Sequence, residues 1–493
     1  MRAALAALFV VVCVHAGLWG ALRQNPQAPD FNGTFPSLSY APFEGTAHPD
    51  IDNIPSTDKI RADLKILAPM TKAIRLYSST GGVDLVPPIA GEVGLKVTVG
   101  AWIDKNEIRN EREIASAVDL AKKNGNVRAI VVGNETIYRG EQRIPDLINY
   151  IQRVKRQTSV PVTTGEIWNI WLEHPELASA VDFIAAHILP YWEGFSEKQA
   201  VDQAVIIYNK LREAFPGKRI VIAEFGWPSG GYNLKNANPG KIEQAVVLRN
   251  FVSRAEAMGM EYNIVEAIDQ PWKFFEGGVG PYWGVLNADR ELKFPWSGSL
   301  ADPSYWKLAG MALLIGILIS LPILRMRAPQ FMQALVLSAA AHGVGAWSVA
   351  VFEYWRDHYF VFGSAFALAL GVLLLIPLII IALARIDEIS TIAFGRAPQR
   401  LIRAREQAAM MPSIASPALQ ADGAAAPRFP KVSIHVPAYF EPPEMLKQTL
   451  DAVARLDYPN FECVVIINNT NDPAYTDPIA EHCAQLGERF IFL

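Results

Sequence analysis

The 493-residue sequence predicts an α/β protein: a (β/α)₈ TIM barrel over residues 30–300, then a transmembrane helix bundle, then an incomplete Rossmann-like domain. Three observations carry this. Strand-like and helical patterns alternate through the first three hundred residues, long uncharged apolar runs follow them, and a strand–helix–strand pattern comes last.

Residues 1–24 open with Arg2 and an apolar stretch, Ala4 to Leu22, which suits a signal peptide or a signal anchor; no small-x-small pattern follows, which favours the anchor. Strand-like runs then recur at Ser37–Pro42, Ala73–Ser78, Lys96–Ile103, Val127–Val132, Val160–Gly165, Val181–Leu189, Arg219–Ala223 and Tyr262–Ala267. Between them, residues 110–123 and 199–215 have helical apolar spacing, with Gly125 and Gly217 as stop signals. An open doubly wound sheet would alternate in the same way. The barrel is preferred because polar and aromatic residues suited to chemistry fall just after so many strands, where a barrel keeps its catalytic rim.

Next come Leu308–Leu324, Phe331–Phe352 and Tyr359–Ala384, which lack Asp, Glu, Lys and Arg. At about 20 residues per crossing, residues 305–384 read as three transmembrane helices; three such runs in succession argue against buried core helices. Arg325 and Arg327 lie between the first two of these runs, and Arg385, Arg396, Arg400, Arg403 and Arg405 follow the last. Positive charge marks the cytoplasmic side, so residues 25–304 are expected outside, periplasmic in a bacterial inner membrane. Residues 385–430 form a basic cytoplasmic segment and an Ala- and Pro-rich linker. In residues 431–493, Lys431–Ala438 is a strand, Glu441–Leu456 a helix and Phe461–Asn468 a strand, and Arg489–Leu493 begins another.

Composition agrees with a membrane protein and narrows its partners. Hydrophobic residues make up 51% of the chain and charged residues 19%, greasier than a soluble enzyme. The net charge of -4 comes with no concentrated basic face, which argues against nucleic acid. Cys13, Cys463 and Cys483 all lie outside the barrel, show no zinc-type spacing, and leave a cysteine-free domain suited to an oxidising compartment. No cluster suggests a metal in the barrel, and no cofactor is expected there.

Two segments carry the chemistry. Val132-Gly133-Asn134-Glu135 ends the fourth strand and Ile222-Ala223-Glu224-Phe225-Gly226-Trp227-Pro228 ends the seventh. Two carboxylates facing each other across a rim are the minimum equipment for cutting or transferring a glycosidic bond. With Ile188-Leu189-Pro190-Tyr191-Trp192, these motifs resemble glycoside hydrolase family 17 over Ser37 to Trp296. The resemblance implies a retaining mechanism on β-1,3-glucan, with Glu135 as acid/base and Glu224 as nucleophile. Such a pair must stand about 5–5.5 Å apart. Asn134 is placed to bond the sugar 2-hydroxyl, a contact that strengthens in the transition state; its plain reading is a strand-ending turn residue.

Other rim residues are substrate-binding candidates. Tyr191 either holds Glu224, lines a subsite or packs in the core, and Arg75 either neutralises the nucleophile region or is structural. The family places an acidic residue and a lysine after strand eight to tune the catalytic pair; Glu266 and Lys273 match this approximately. His187 reads as a satisfied strand histidine rather than a base. Of Trp102, Trp168, Trp171, Trp192, Trp227, Trp272 and Trp283, all near strand ends, Trp227 and Trp272 are expected to contact sugar.

Val432-Ser433-Ile434-His435-Val436-Pro437-Ala438-Tyr439 and Val464–Thr470 resemble the opening of a family 2 glycosyltransferase. For a complete domain the resemblance implies a nucleotide sugar of the UDP-glucose type and a divalent metal. Many such enzymes place an aspartate against the base where this chain has Ile467 and Asn468, and the metal-binding and acceptor motifs expected further on are not in this sequence, so it is expected to be a fragment of a longer synthase. The whole order is similar to bacterial membrane β-glucan synthases. It implies β-glucan and the lipid bilayer as partners, with any synthase-complex partners unknown. A glucan-remodelling transglycosylase, an endo-β-1,3-glucanase and a non-catalytic glucan-binding module are the three functional alternatives.

Overall fold

The computed structural model describes residues 2–46, 48–50, 54–326, 329–395 and 429–493. The chain divides into two units, Met1–Gln399 and Arg400–Leu493.

In the first unit, helix α1 (Arg2–Leu22) precedes eight parallel strands: β1 (Leu38–Ser39), β2 (Ala73–Arg75), β3 (Lys96–Ala101), β4 (Val127–Asn134), β5 (Val162–Ile167), β6 (Ile184–His187), β7 (Ile220–Phe225) and β8 (Glu261–Ile264). Each lies within or beside a predicted run. They pair in sequence order, and Leu38 of β1 pairs with both Ile74 of β2 and Ile264 of β8, which closes the barrel. That closure settles the fold against the open sheet.

The outer helices are α2 (Thr57–Leu67), α3 (Val86–Glu92), α4 (Glu107–Lys123), α5 (Ile144–Lys155), α6 (Trp168–Glu173), α7 (Pro175–Ala180), α8 (Pro190–Glu193), α9 (Ala200–Ala214) and α10 (Lys241–Ala257). Local chemistry starts them: Ser56 and Asn106 accept the Lys59 and Arg109 N–H groups as N-caps of α2 and α4. Leu147, Ile151 and Val154 of α5 recur at i, i+4 and i+7 and are buried, so one face seals the barrel wall. The strands supply the other side of this core, with Ile130, Val132, Ile184 and Ile222 each fully buried.

Among the described residues, four helices are long and apolar enough to cross a membrane: α1, α11 (Tyr305–Ser320, continued by a 3₁₀ turn to Arg325), α12 (Phe331–Asp357) and α13 (Phe362–Phe394). Helix α13 runs ten residues past the predicted end at Ala384, through an Arg385–Glu388 pair at i, i+3. Small residues let α11 and α12 approach closely; a Cβ on Gly345 would stand 2.5 Å from the Ala312 carbonyl oxygen. His15 of α1 meets His342 of α12 through their Nδ1 atoms at 2.8 Å. Arg327, Arg396, Arg400, Arg403 and Arg405, and the linker through residue 428, lie outside the described residues.

The second unit is a three-stranded parallel sheet ordered β11-β10-β9, with β9 at Val432–Ala438, β10 at Phe461–Ile467 and β11 at Phe490–Phe492. Helices Pro443–Ala454 and Pro473–Leu486 connect the strands, in the manner of a partial Rossmann sheet.

Candidate active site

The end of β4 is shaped to aim two side chains. Gly133 has φ +85° and Glu135 φ +53°, and the register between β4 and β5 shifts between Val131 and Asn134. Such a bulge redirects the residues that follow it. The Glu135 N–H donates to the Gly165 carbonyl at 2.7 Å. Beneath the turn, the fully buried Glu166 accepts the Ile137 and Tyr138 N–H groups at 2.7 and 3.3 Å. Burial, working against those donors, pushes its carboxyl up to about 7.

Around Glu135 and Glu224 the charges interlock. Arg75 of β2 is buried; its Nη1 donates to Glu224 Oε1 at 2.8 Å and to the Ala223 carbonyl at 2.9 Å, and its Nη2 donates to Asn134 Oδ1 at 2.7 Å. That leaves the Asn134 NH₂ group available to a ligand. His187 of β6 stands between the carboxylates, with Nδ1 2.9 Å from Glu135 Oε1 and Nε2 3.4 Å from Glu224 Oε1. Arg75 Nη2 lies 3.2 Å from His187 Nε2. A guanidinium only donates, so Nε2 accepts from it and Nδ1–H donates to Glu135. Burial opposes the charge of Glu135, yet the His187 hydrogen bond, with Arg139 and Arg75 nearby, outweighs it and holds the carboxyl below its ordinary value.

One donor atom from each of Glu135, His187 and Glu224 lies within 4.8 Å of the others. These are metal-ligand types, but the Arg75 guanidinium already places a fixed positive charge among them. Gly165 makes the convergence sterically feasible: a Cβ there would lie 2.8 Å from His187 Nε2 and 2.9 Å from Arg75 Nη2.

Behind β8, Glu266 is fully buried and pairs with Lys273 Nζ at 3.0 Å. Burial raises the Glu266 carboxyl to about 7. Burial also opposes the charge of Lys273, but Glu266, Glu276 and Glu224 surround it and raise its pKa. Lys273 lines the cleft whereas the fully buried Glu266, expected to bind substrate, does not; it reaches the cleft only through its pair with the lysine.

The cleft above the carboxylates encloses about 1650 Å³. Its aromatic walls include Tyr138, Trp168 and Trp192 after β4, β5 and β6, and Phe43, Trp272 and Phe275 after β1 and β8. Two expectations are corrected. Trp227 is fully buried and its Nε1–H donates to the Asn238 carbonyl at 3.0 Å, so its ring is core. Tyr191 is fully buried, and its hydroxyl donates to the Tyr232 carbonyl at 2.6 Å rather than holding Glu224. Both carry polar tips that reach backbone oxygens from the core, so their position after strands did not mean exposure. His187, read as a strand histidine, bridges the two carboxylates, and Glu166 and Gly165 had no motif to expose them.

A family model, the BtgE/BtgC glycoside hydrolase domain, matches residues 37–284, just over half of the 493-residue chain. The chain belongs to the BtgE/BtgC glycoside hydrolase family. A glycosyl transferase family 2 model also matches residues 433–493. BtgE/BtgC relatives include a probable glucan endo-1,3-beta-glucosidase btgC of Aspergillus flavus, 27% identical over 300 residues that cover 54% of this chain and 43% of the relative. The glucan endo-1,3-beta-glucosidase btgC of Emericella nidulans is 28% identical over 294 residues, 52% of this chain and 45% of the relative. The chain thus spans less than half the length of these curated relatives. A solved glycoside hydrolase family 17 beta-1,3-glucanosyltransferase from Rhizomucor miehei aligns with a TM-score of 0.48 at 26% identity, over 52% of this chain and 95% of that one.

Proposed function

We propose that the barrel is a retaining β-1,3-glucan transglycosylase, anchored in a membrane, that remodels a β-glucan supplied by a synthase to which the family 2 segment belongs. The observation that carries the reading is the Glu135–His187–Glu224 cluster within 4.8 Å, charged on one side by Arg75. With ligand atoms of both carboxylates within 4.8 Å, the pair is closer than the about 6.5–9.5 Å at which an inverting pair holds a water between its carboxyls, which supports direct attack. The names of the fungal relatives support β-1,3-glucan as substrate.

Glu224 attacks the anomeric carbon while Glu135 gives its proton to the glycosidic oxygen, releasing the leaving chain and forming a glycosyl ester on Glu224. Arg75 holds and aims Glu224, and the free NH₂ of Asn134 meets the 2-hydroxyl. In the second half, the hydroxyl of another glucan loses its proton to Glu135, attacks the same carbon and frees Glu224. A bound sugar covers the 22% of the Glu135 side chain that is exposed, strengthening the burial that favours its protonated form. Aromatic walls on both flanks supply faces for a donor and an acceptor sugar, which favours sugar over water in the second step.

The test uses the full chain in detergent with defined β-1,3-oligosaccharides, followed by product sizing. Products longer than the substrate are expected. Only shorter products would make it an endo-glucanase, and no turnover would leave a glucan-binding module.

The four apolar helices support the membrane anchoring. Leu22, Tyr305, Asp357 and Phe362 all end or begin helices at the barrel side of the bundle: Tyr305 Oη donates to the Trp19 carbonyl at 2.6 Å, and Lys241 of the barrel pairs with Asp357 at 3.0 Å. An outer barrel and an inner family 2 segment fit this arrangement, with a bacterial inner membrane as the proposed setting.

A further inference from the structure

The turn between α12 and α13, residues 358–361, reaches into the barrel beside the cleft. The Tyr359 ring stacks on Tyr282 with centroids 5.3 Å apart, and its backbone N–H donates to the Tyr282 hydroxyl at 2.9 Å. Its own hydroxyl donates to Asp269 Oδ2 at 2.9 Å and accepts the Ala288 N–H at 2.9 Å. Asp269 is 3% exposed. Its Oδ1 is held by the Gly284 N–H and by Lys293 Nζ, each at 2.8 Å, but among the described residues the only donor to its Oδ2 is Tyr359.

Asp269 also begins the segment that forms one wall of the cleft. Gln270 Oε1 accepts the Trp272 Nε1–H at 2.6 Å, the Lys273 N–H donates to the Gln270 carbonyl, and Trp272 and Lys273 face the substrate space. On the other side of Asp269's partners, the Trp283 carbonyl accepts the Glu266 N–H at 2.9 Å, and Trp283 lines the cleft as well. A buried carboxylate oxygen left without its donor is costly, and the strand-eight segment would shift to find another.

We infer that Tyr359, carried by the turn between two membrane helices, is a positioning residue for the cleft: its hydroxyl fixes Asp269 and through it the Trp272–Lys273 wall. This rests on the glucan-active reading of the cleft. The barrel's substrate wall is therefore completed by the helix bundle, and the state of the bundle is felt at the sugar site.

The test compares the full chain with Tyr359→Phe, which keeps the ring stack and removes only the hydroxyl. Tyr354→Phe, at an exposed position on α12, is the control. KM for a β-1,3-oligosaccharide should rise roughly three- to tenfold in Tyr359→Phe, with kcat nearly unchanged, while the control matches the parent. In hydrogen exchange of the same proteins, peptides spanning residues 266–276 should exchange faster in Tyr359→Phe alone. Unchanged exchange in that segment overturns the inference whether or not the protein turns over glucan; unchanged KM in an active protein overturns it as well. A parent without turnover, but with faster exchange in the variant, would sink the functional reading and leave the strut in place.

Discussion

Residue by residue, the site depends on how Arg75 and His187 hold the two carboxylates. Glu224→Ala removes the proposed nucleophile and should lower turnover of β-1,3-oligosaccharides roughly a thousandfold or more, with kcat as the readout. His187 lowers the Glu135 pKa through its hydrogen bond. In His187→Ala that restraint is gone and the Glu135 pKa rises. Since Glu135 must be protonated to act as the acid, the alkaline limb of the kcat/KM profile should move to higher pH, and a limb that moves down would contradict the assignment. The two tryptophans expected to touch sugar should separate cleanly. Trp272→Ala, on the cleft wall, should raise KM about tenfold, whereas Trp227→Phe should leave KM alone and cost about 1 kcal/mol of stability for the lost bond to Asn238.

At the scale of the element, strand ends rather than strands carry the function. The barrel was legible because apolar strand-like runs alternate with helical patterns and polar and aromatic residues fall just after the strands, and the positions of Glu135 and Glu224 at the fourth and seventh strand ends were legible from their short motifs. The partners of those glutamates were not. His187 and Gly165 reach the centre only because β5 and β6 lie beside β4 and β7 in a closed barrel, a neighbourhood that no local pattern encodes. Glu166 sits on a strand whose neighbours are plain Thr, Gly and Ile, and its value comes from the left-handed turn it fastens in the adjacent strand. Conversely, proximity to a strand end overstated Trp227 and Tyr191, whose long side chains turn back into the core.

The buried carboxyls also set how the barrel responds to pH. Glu166 and Glu266 are both raised to about 7, so the fold binds protons more tightly than the unfolded chain. Their contribution to stability is full below the ordinary carboxylate pKa of about 4.3 and is lost as pH rises through about 7. The barrel's unfolding temperature, followed by tryptophan fluorescence, should fall over that window, and Glu266→Gln should flatten the fall.

At the scale of the whole molecule, the barrel is tied to the helix bundle at both of its ends and at a third point between. Arg249 of α10 is fully buried; it donates to the carbonyls of Ala28, Pro29 and Gly298 and pairs with Asp30, so it clasps the segments that lead to α1 and to α11. Arg249→Ala would remove the donor these carbonyls share and leave a cavity where a fully buried side chain stood, and should destabilise the protein by about 2 kcal/mol or more. Tyr359 is the third tie. In the proposed topology all three face the outer compartment. A periplasmic reporter fused after Ser304 should therefore be active, and an inactive one would reverse the orientation inferred from the arginines.

In the proposed mechanism Glu224 forms a covalent bond to a β-1,3-glucosyl unit. That bond is tested most directly by incubating the full chain with 2-deoxy-2-fluoro-β-laminaribiosyl fluoride and mapping the adduct by peptide mass spectrometry. A 2-deoxy-2-fluoro-laminaribiosyl ester is expected on the peptide containing Glu224 and absent in Glu224→Ala; an ester on any other residue, or a turnover product of inverted anomeric configuration with no adduct, would overturn the assignment.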